Sequence, residues 1–392
     1  MRFVVLVLIF VAIFSLISAQ TSDDFDAWEF VEDCVPEPTA SPVDWRFDGV
    51  VMLTGEFGVH VIDSDITTPY VVAFLRDVVP GGGGLSPDGN WYATLRGAQN
   101  TQAEGNVWDV FQLRLYSLRA SRTDVVLPLV QSYSSGLNLQ NHSEMHWLDD
   151  SRIVFDASEV VDDASEVMAV IYDVSTGAES RWEREVNPLL NATHFFPAPD
   201  WERAILNTAQ GVFDPSEWQI VEIESGDVIA EPDLADFIEP VWSPDSSRFV
   251  AEIEQETEDD YVYDVAMFNA DGDASDILMT LEAGERMLTA FESDVRHVRW
   301  SDDGRYVAFV TTTLSFPTNI TLYIADTETR TVTDTCIYTE NGIAWSPDGT
   351  QIALFPRLVY EPRQELLIFD LENWAQYGVR RFHEGNVIGW RE

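Results

Sequence analysis

The sequence predicts an all-β chain, a seven-bladed β-propeller of four-stranded antiparallel blades closed by pairing of the N- and C-terminal strands. Three observations carry that expectation. A turn motif led by an aromatic residue returns down the chain at intervals suited to propeller blades. Each copy is followed by a short, almost continuous apolar run of the kind a strand buried on both faces requires. Helical periodicity is nearly absent.

The chain begins with Met1 and Arg2, an apolar run from Phe3 to Phe14, and small residues at Ser18 and Ala19 before the acidic Thr21-Ser22-Asp23-Asp24. This reads as a secretory signal peptide over residues 1–19, with an uncleaved membrane anchor as the alternative. Residues 20–44 form an N-terminal extension, and residues 45–392 hold the propeller. The two cysteines, Cys34 and Cys336, fall in a chain expected to mature where thiols oxidise. They are predicted to form one disulfide, tying the extension to the outer part of a late repeat.

The strongest copies of the motif are Trp345-Ser346-Pro347-Asp348-Gly349, Trp300-Ser301-Asp302-Asp303-Gly304, Trp242-Ser243-Pro244-Asp245-Ser246 and Leu85-Ser86-Pro87-Asp88-Gly89. Weaker ones start at Trp147 and Phe196, and a degenerate one at Trp45. The starts at 45, 85, 147, 196, 242, 300 and 345 give intervals of 40, 62, 49, 46, 58 and 45, and Trp390 lies another 45 on. Proline presets φ for a turn, aspartate accepts local backbone hydrogen bonds, and glycine takes a left-handed position, so the motif is a hairpin device. The aromatic before it is expected to fill the wedge between blades. A third strand ending near an aspartate recurs in Leu322 to Asp326, Val170 to Asp173 and Leu367 to Asp370. The C-terminal run Asn386 to Trp390 is predicted to be the innermost strand of the first unit, beside Val50 to Thr54, Val59 to Asp63 and Tyr70 to Leu75. Eight or six blades are the alternatives.

The Trp-Ser-Pro-Asp-Gly pattern, its short apolar strand and the Leu-Tyr-Ile-x-Asp strand that follows resemble the repeats of TolB-like and WD-type propeller proteins. They are also similar to the propeller domains of prolyl oligopeptidase relatives. The resemblance spans residues 45 to 392 and implies the fold. It leaves function open, because such propellers serve as scaffolds, substrate filters and occasionally enzymes. TolB carries an α/β domain before its propeller, and residues 20–44 are too few for one.

Charge narrows the partners. The chain has 22 basic residues, all arginine, against 68 acidic ones, a formal balance of −46. Nucleic acid and anionic membrane surfaces bind through positive surfaces, so both are excluded as partners. The 45% apolar content, with 13 Trp and 22 Phe, separates the chain from an acidic disordered tail.

Candidate chemistry is sparse. Five of the six histidines, all but His60, come shortly before an aromatic start. His142, His146, His194 and His297 are therefore the candidate ligand-binding residues of the central channel, with His383 near Trp390. No metal is assigned to them. The acidic stretch from Glu252 to Asp260 is read as a solvated hairpin loop. Ca²⁺ is the one cofactor weighed, there and at Asn269 to Asp273, and both stretches lack the ligand spacing of a calcium loop. No cofactor is expected. Gly-x-Ser-x-Gly is absent, so a serine hydrolase domain is not expected and no catalytic residue is assigned. The sequons at Asn141, Asn191 and Asn319 are read as chance matches. The expected role is an exported, non-catalytic, monomeric scaffold binding a protein, peptide or glycan at one face or the channel mouth. The alternatives are a propeller lyase or hydrolase using channel histidines or carboxylates, and a membrane-anchored sensory ectodomain.

Overall fold

The computed structural model describes residues 28–40, 47–55, 58–63, 70–73, 78–98, 110–117, 125–126, 145–161, 164–185, 187–188, 194–207, 217–235, 239–256, 261–281, 295–313, 319–339, 342–356, 364–382 and 385–391. The leader 1–19, Trp45, His142 and His383 lie outside them.

These residues form an all-β propeller arrangement of small antiparallel sheets. In chain order, sheet 1 joins Gly385–Arg391, Val50–Gly55, Gly58–Asp63 and Tyr70–Ala73. Sheet 2 joins Val78–Leu85, Trp91–Ala98, Val110–Ser117 and Val125–Val126. Sheet 3 holds Met145–Trp147, Arg152–Val161, Ala164–Asp173 and Ala178–Arg181, and sheet 4 holds His194–Pro197, Arg203–Asn207, Trp218–Glu222 and Val228–Ala230. Sheet 5 is Val241–Trp242, Arg248–Glu256, Tyr261–Asn269 and Ala274–Leu281. Sheet 6 is Val295–Trp300, Tyr306–Thr313, Asn319–Asp326 and Thr331–Tyr338, and sheet 7 is Ala344–Trp345, Gln351–Leu354, Gln364–Asp370 and Ala375–Phe382. The C-terminal strand pairs with Val50–Gly55, Trp390 opposite Val51.

The four-stranded antiparallel description holds for five of the sheets and needs correction in two. Glu29–Glu32 adds in parallel to Thr331–Tyr338, and Thr39–Ala40 adds in parallel to Ala375–Phe382, so sheets 6 and 7 have five strands each. The cause is an exposed outer edge, whose unpaired N–H and C=O groups are a template for another strand. Here the N-terminal extension fills it. Trp28 is buried among Val298, Trp300 and Tyr323 at the start of this strap. Trp374 Nε1 and Gln376 Nε2 donate to the carbonyls of Asp33 and Pro36 farther on. The predicted disulfide is present, Cys34 to Cys336 with Cα atoms 4.9 Å apart. Cys336 has φ 56° in a bulge, where Thr335 Oγ1 donates to the Leu322 carbonyl and the Cys336 N–H donates to Asp334 Oδ1.

The apolar runs explain the stacking. Val307 and Phe309 face sheet 5, packing with Val250, Val265 and Met267, whereas Ala308 and Val310 face sheet 7, packing with Ile352 and Leu354. Side chains alternate across a strand, so a strand covered on both faces must be apolar throughout. The aromatic that opens the motif packs in these interfaces as expected, and its indole also bonds the preceding sheet. Trp147, Trp242, Trp300 and Trp345 donate Nε1–H to the carbonyls of Gly84, Phe196, Val241 and Arg299 at 3.0–3.2 Å.

The motif serine locks the turn from inside. In Ser86, Ser243, Ser301 and Ser346 the hydroxyl donates to the aspartate two residues on at 2.6 Å. It accepts the backbone N–H five residues on, from Trp91, Arg248, Tyr306 and Gln351. Ser346 is buried. Ser346→Ala strips both bonds and leaves the half-buried Gln351 N–H short of an acceptor, so it is expected to cost about 1–3 kcal/mol in denaturant unfolding. An unchanged midpoint would contradict this account of the turn.

The same turns make stability depend on acid. The Ser243 hydroxyl holds Asp245 below the usual carboxylate range, with burial opposing and Ser247 assisting. A depressed carboxylate contributes stability that is complete above its unfolded pKa of about 4 and is lost as pH falls through the folded value. Asp245→Asn is therefore expected to be destabilising near neutral pH, with the gap to the parent closing below about pH 4. Thermal melts across that range measure it, and a gap independent of pH would rule out the linkage.

The acidic stretch differs from its expected form at one end. Glu252 is buried within the strand Arg248–Glu256, and the Ala235 N–H donates to its backbone carbonyl. The hairpin narrows only at Glu256 opposite Tyr261, so Glu252 belongs to the sheet interior and not to a solvated loop. Residues 257–260 lie outside the described residues.

Candidate functional site

A cleft of about 780 Å³ opens between sheets 3 and 4. Its apolar lining comes from Leu148 and Ile171 of sheet 3 and from Pro199 of the first turn in sheet 4. Its chemistry comes from the segment leaving sheet 3, Arg181-Trp182-Glu183-Arg184-Glu185, and from Trp201.

Trp201 is there because sheet 4 breaks the motif. The turn closes through an Ala198 N–H bond to the Arg203 carbonyl, the same pattern as Ser346 to Gln351. The copy therefore begins at Pro197, one residue later than the Phe196 start read from the sequence. In this register Ala198 stands where serine stands elsewhere, and Trp201 occupies the glycine position. Its φ is 59°, against 63°, 59°, 71° and 71° at Gly89, Ser246, Gly304 and Gly349. A bulky residue in the left-handed region costs on the order of 1 kcal/mol and persists only where its surroundings hold it. Phe195 and Trp182 do so, with ring centroids 5.9 and 6.2 Å from the Trp201 ring.

Arg184 completes the arrangement. Its Nη1 donates to the Trp201 carbonyl at 3.0 Å, and its guanidinium lies 5.3 Å from the centre of the half-buried Trp182 ring. The side chain is thus fixed in place while the residue remains exposed. Arg152, in the same lining, donates from Nε to Asp149 Oδ2 at 2.6 Å. Glu183, Glu185, Asp200 and Glu224 add exposed carboxylates to the lining. Asp173 on the sheet 3 wall is held below the ordinary carboxylate range, first by the Ser175 hydroxyl against burial and then by backbone N–H groups.

The predicted histidines are distributed differently. His146 turns its ring edge-on to Phe195 at 5.1 Å and stands 6.3 Å from Trp201, so it packs behind the cleft in the interface of sheets 3 and 4. His194 is exposed beside Phe196 at 6.3 Å. His297 lies in the bulged strand Val295–Trp300, and His142 falls outside the described residues. Among the described residues, the grouping of metal-ligand types close enough to share an ion is Glu32, Cys34 and Cys336, whose sulfurs are joined to each other. The cleft itself escaped sequence reasoning. Its legible signal was a pair of arginines flanking a tryptophan in a lysine-free chain.

No protein-family model matches the chain, and no curated protein matches it. Solved propeller structures do. TolB from Acinetobacter baumannii is 13% identical, with 93% of this chain and 97% of that chain covered and a TM-score of 0.42. A candidate 6-phosphogluconolactonase from Bacteroides uniformis is 10% identical, covering 88% of this chain and 98% of its own at a TM-score of 0.50. An oligogalacturonate lyase in complex with manganese is 15% identical over 78% and 77% of the two chains, with a TM-score of 0.45. At these identities the likeness is one of fold, and the fold of this chain is the β-propeller that its turn motif announced.

Proposed function

We propose that the chain is an extracytoplasmic, non-catalytic propeller that binds a protein, peptide or glycan in the cleft between sheets 3 and 4. The observation that carries this reading is Trp201, an indole held in a left-handed backbone position beside the fixed guanidinium of Arg184. Strain of that kind is retained where it serves a site. The disulfide supports maturation in an oxidising compartment, as residues 1–19 acting as a leader would provide.

The scaffold in this reading is one monomeric ring of seven blades over residues 45–392, with residues 20–44 as a strap. Apolar clusters between sheets 2 and 3, and between each later pair up to 7 and 1, support it. The last junction is supported by Arg391, whose Nη1 donates to the Gly89 carbonyl and Asn90 Oδ1 at 2.9 Å, tying sheet 1 to sheet 2. Arg299, on the first strand of sheet 6, reaches solvent, yet desolvation lowers its pKa against the pull of Glu239.

Peptide and glycan arrays probed with the parent chain and with Trp182→Ala/Arg184→Gln test the site. Binding lost in the double variant is the expected result, with a cooperative unfolding transition and a parent-like far-UV spectrum checking its fold. Binding retained by a folded double variant would move the site away from this cleft.

A further inference from the structure

We propose that the ligand of this cleft is a peptide segment of net positive charge carrying one carboxylate, with Arg184 as the receptor for that carboxylate. The inference rests on the binding reading above and goes further by naming the chemistry recognised.

Arg184 is built for the purpose. A guanidinium offers five N–H donors in a planar fork that matches a carboxylate, and the bond to the Trp201 carbonyl uses one of them. Stacking on Trp182 fixes the plane of the fork, so little side-chain freedom remains to be lost on binding. Every cation of this chain is an arginine, and three of the 22 line this one cleft: Arg152, Arg181 and Arg184.

The rest of the ligand is set by the surrounding field. A net charge of −46 repels polyanions at long range, and Glu183, Glu185, Asp200 and Glu224 repeat that sign in the cleft lining. An acidic polymer is therefore disfavoured on approach even though Arg184 presents a fork. A single carboxylate between basic groups satisfies both signs, with its cations on these carboxylates and its anion on Arg184. Leu148, Ile171 and Pro199 add apolar wall for side-chain stems. A neutral glycan matches neither the fork nor the carboxylates. The carboxylate has two possible sources, a peptide C-terminus or an acidic side chain.

The test follows the indole ¹⁵N–¹H signals of the full chain at low salt, with Trp182 assigned from Trp182→Phe. The probes are acetyl-Lys-Ala-Lys with a free C-terminus, the same peptide amidated, acetyl-Lys-Glu-Lys-amide, and cellobiose. The expected result is a saturable shift of the Trp182 signal with at least one carboxylate-bearing peptide, and at least fivefold weaker binding of the amidated acetyl-Lys-Ala-Lys. Which of the two carboxylate peptides binds identifies the source. Arg184→Gln is expected to bring the peptides within twofold of one another, and Arg184→Lys to recover only part of the preference, with the remaining indole signals in place. Binding of the amidated acetyl-Lys-Ala-Lys as tight as that of both carboxylate-bearing peptides would overturn carboxylate recognition and leave the cleft standing as a site. Saturation by cellobiose alone would overturn the peptide ligand. A Trp182 signal unmoved by any probe would overturn this inference, and loss of array binding in the double variant would still uphold the site.

Discussion

Replacing Cys34 and Cys336 together by serine is expected to lower the stability of the chain by about 5 kcal/mol, read as a fall in the denaturant midpoint. The bond spans a sequence separation of 302 residues, and the chain-entropy model assigns closure of so long a loop that order of magnitude. The disulfide is the covalent end of a strap that begins at buried Trp28, pairs Glu29–Glu32 with Thr331–Asp334, and continues through the Val35 N–H bond to the Thr335 carbonyl. Without it, the parallel pairing must be recruited from an unconstrained N-terminus. Amides of residues 29–35 should then exchange faster than those in the antiparallel interior of sheet 6. A double variant with the parent midpoint and parent exchange would show that the strap is held by its hydrogen bonds and Trp28 alone.

Trp201 supplies the second large effect, and here two terms of opposite sign can be separated. Trp201→Ala removes a buried indole packed on Phe195 and Trp182 while leaving a β-carbon in the left-handed region, so a loss of about 3–5 kcal/mol is expected. Trp201→Gly removes the same indole and also the backbone penalty, which returns about 1 kcal/mol. The cavity term is the larger one, so both variants are less stable than the parent, with glycine the milder. Unfolding midpoints of the two variants decide it. Alanine equal to or milder than glycine would mean that the tryptophan backbone is unstrained. Both variants are also expected to weaken cleft binding, because the lost indole packs on Trp182, over whose ring the Arg184 guanidinium lies.

Much of the fold was legible in the sequence. Ser346, Asp348 and Gly349 act within a few residues of one another, and a turn built from such contacts is written in local order. Val307 to Val310 likewise show double-sided burial as an unbroken apolar run. The Phe196 copy was misplaced by one residue because its serine and glycine are replaced by Ala198 and Trp201, which erases the local signal that fixes the register. The strap was only half legible. Two cysteines suggested the bond, but parallel addition to the outer edges of sheets 6 and 7 depends on which edges are exposed, and no local pattern encodes that.

The candidate site was less legible than the fold. Histidines before the aromatic starts drew attention to the first strands, yet His146 packs against Phe195 behind the cleft. Arg184 and Trp201 are 17 residues apart and belong to different sheets. Their meeting follows from the way one sheet stacks on the next.

By itself the sequence determined the strands, the hairpin turns between them and the pairing of the last strand with Val50–Gly55, because turn chemistry and apolar alternation act over a few residues. The tertiary structure alone decided where cations and indoles meet in a strongly acidic chain. That depends on contacts between sheets, where Trp201 takes the place of a glycine and the Arg184 guanidinium finds a carbonyl to hold it.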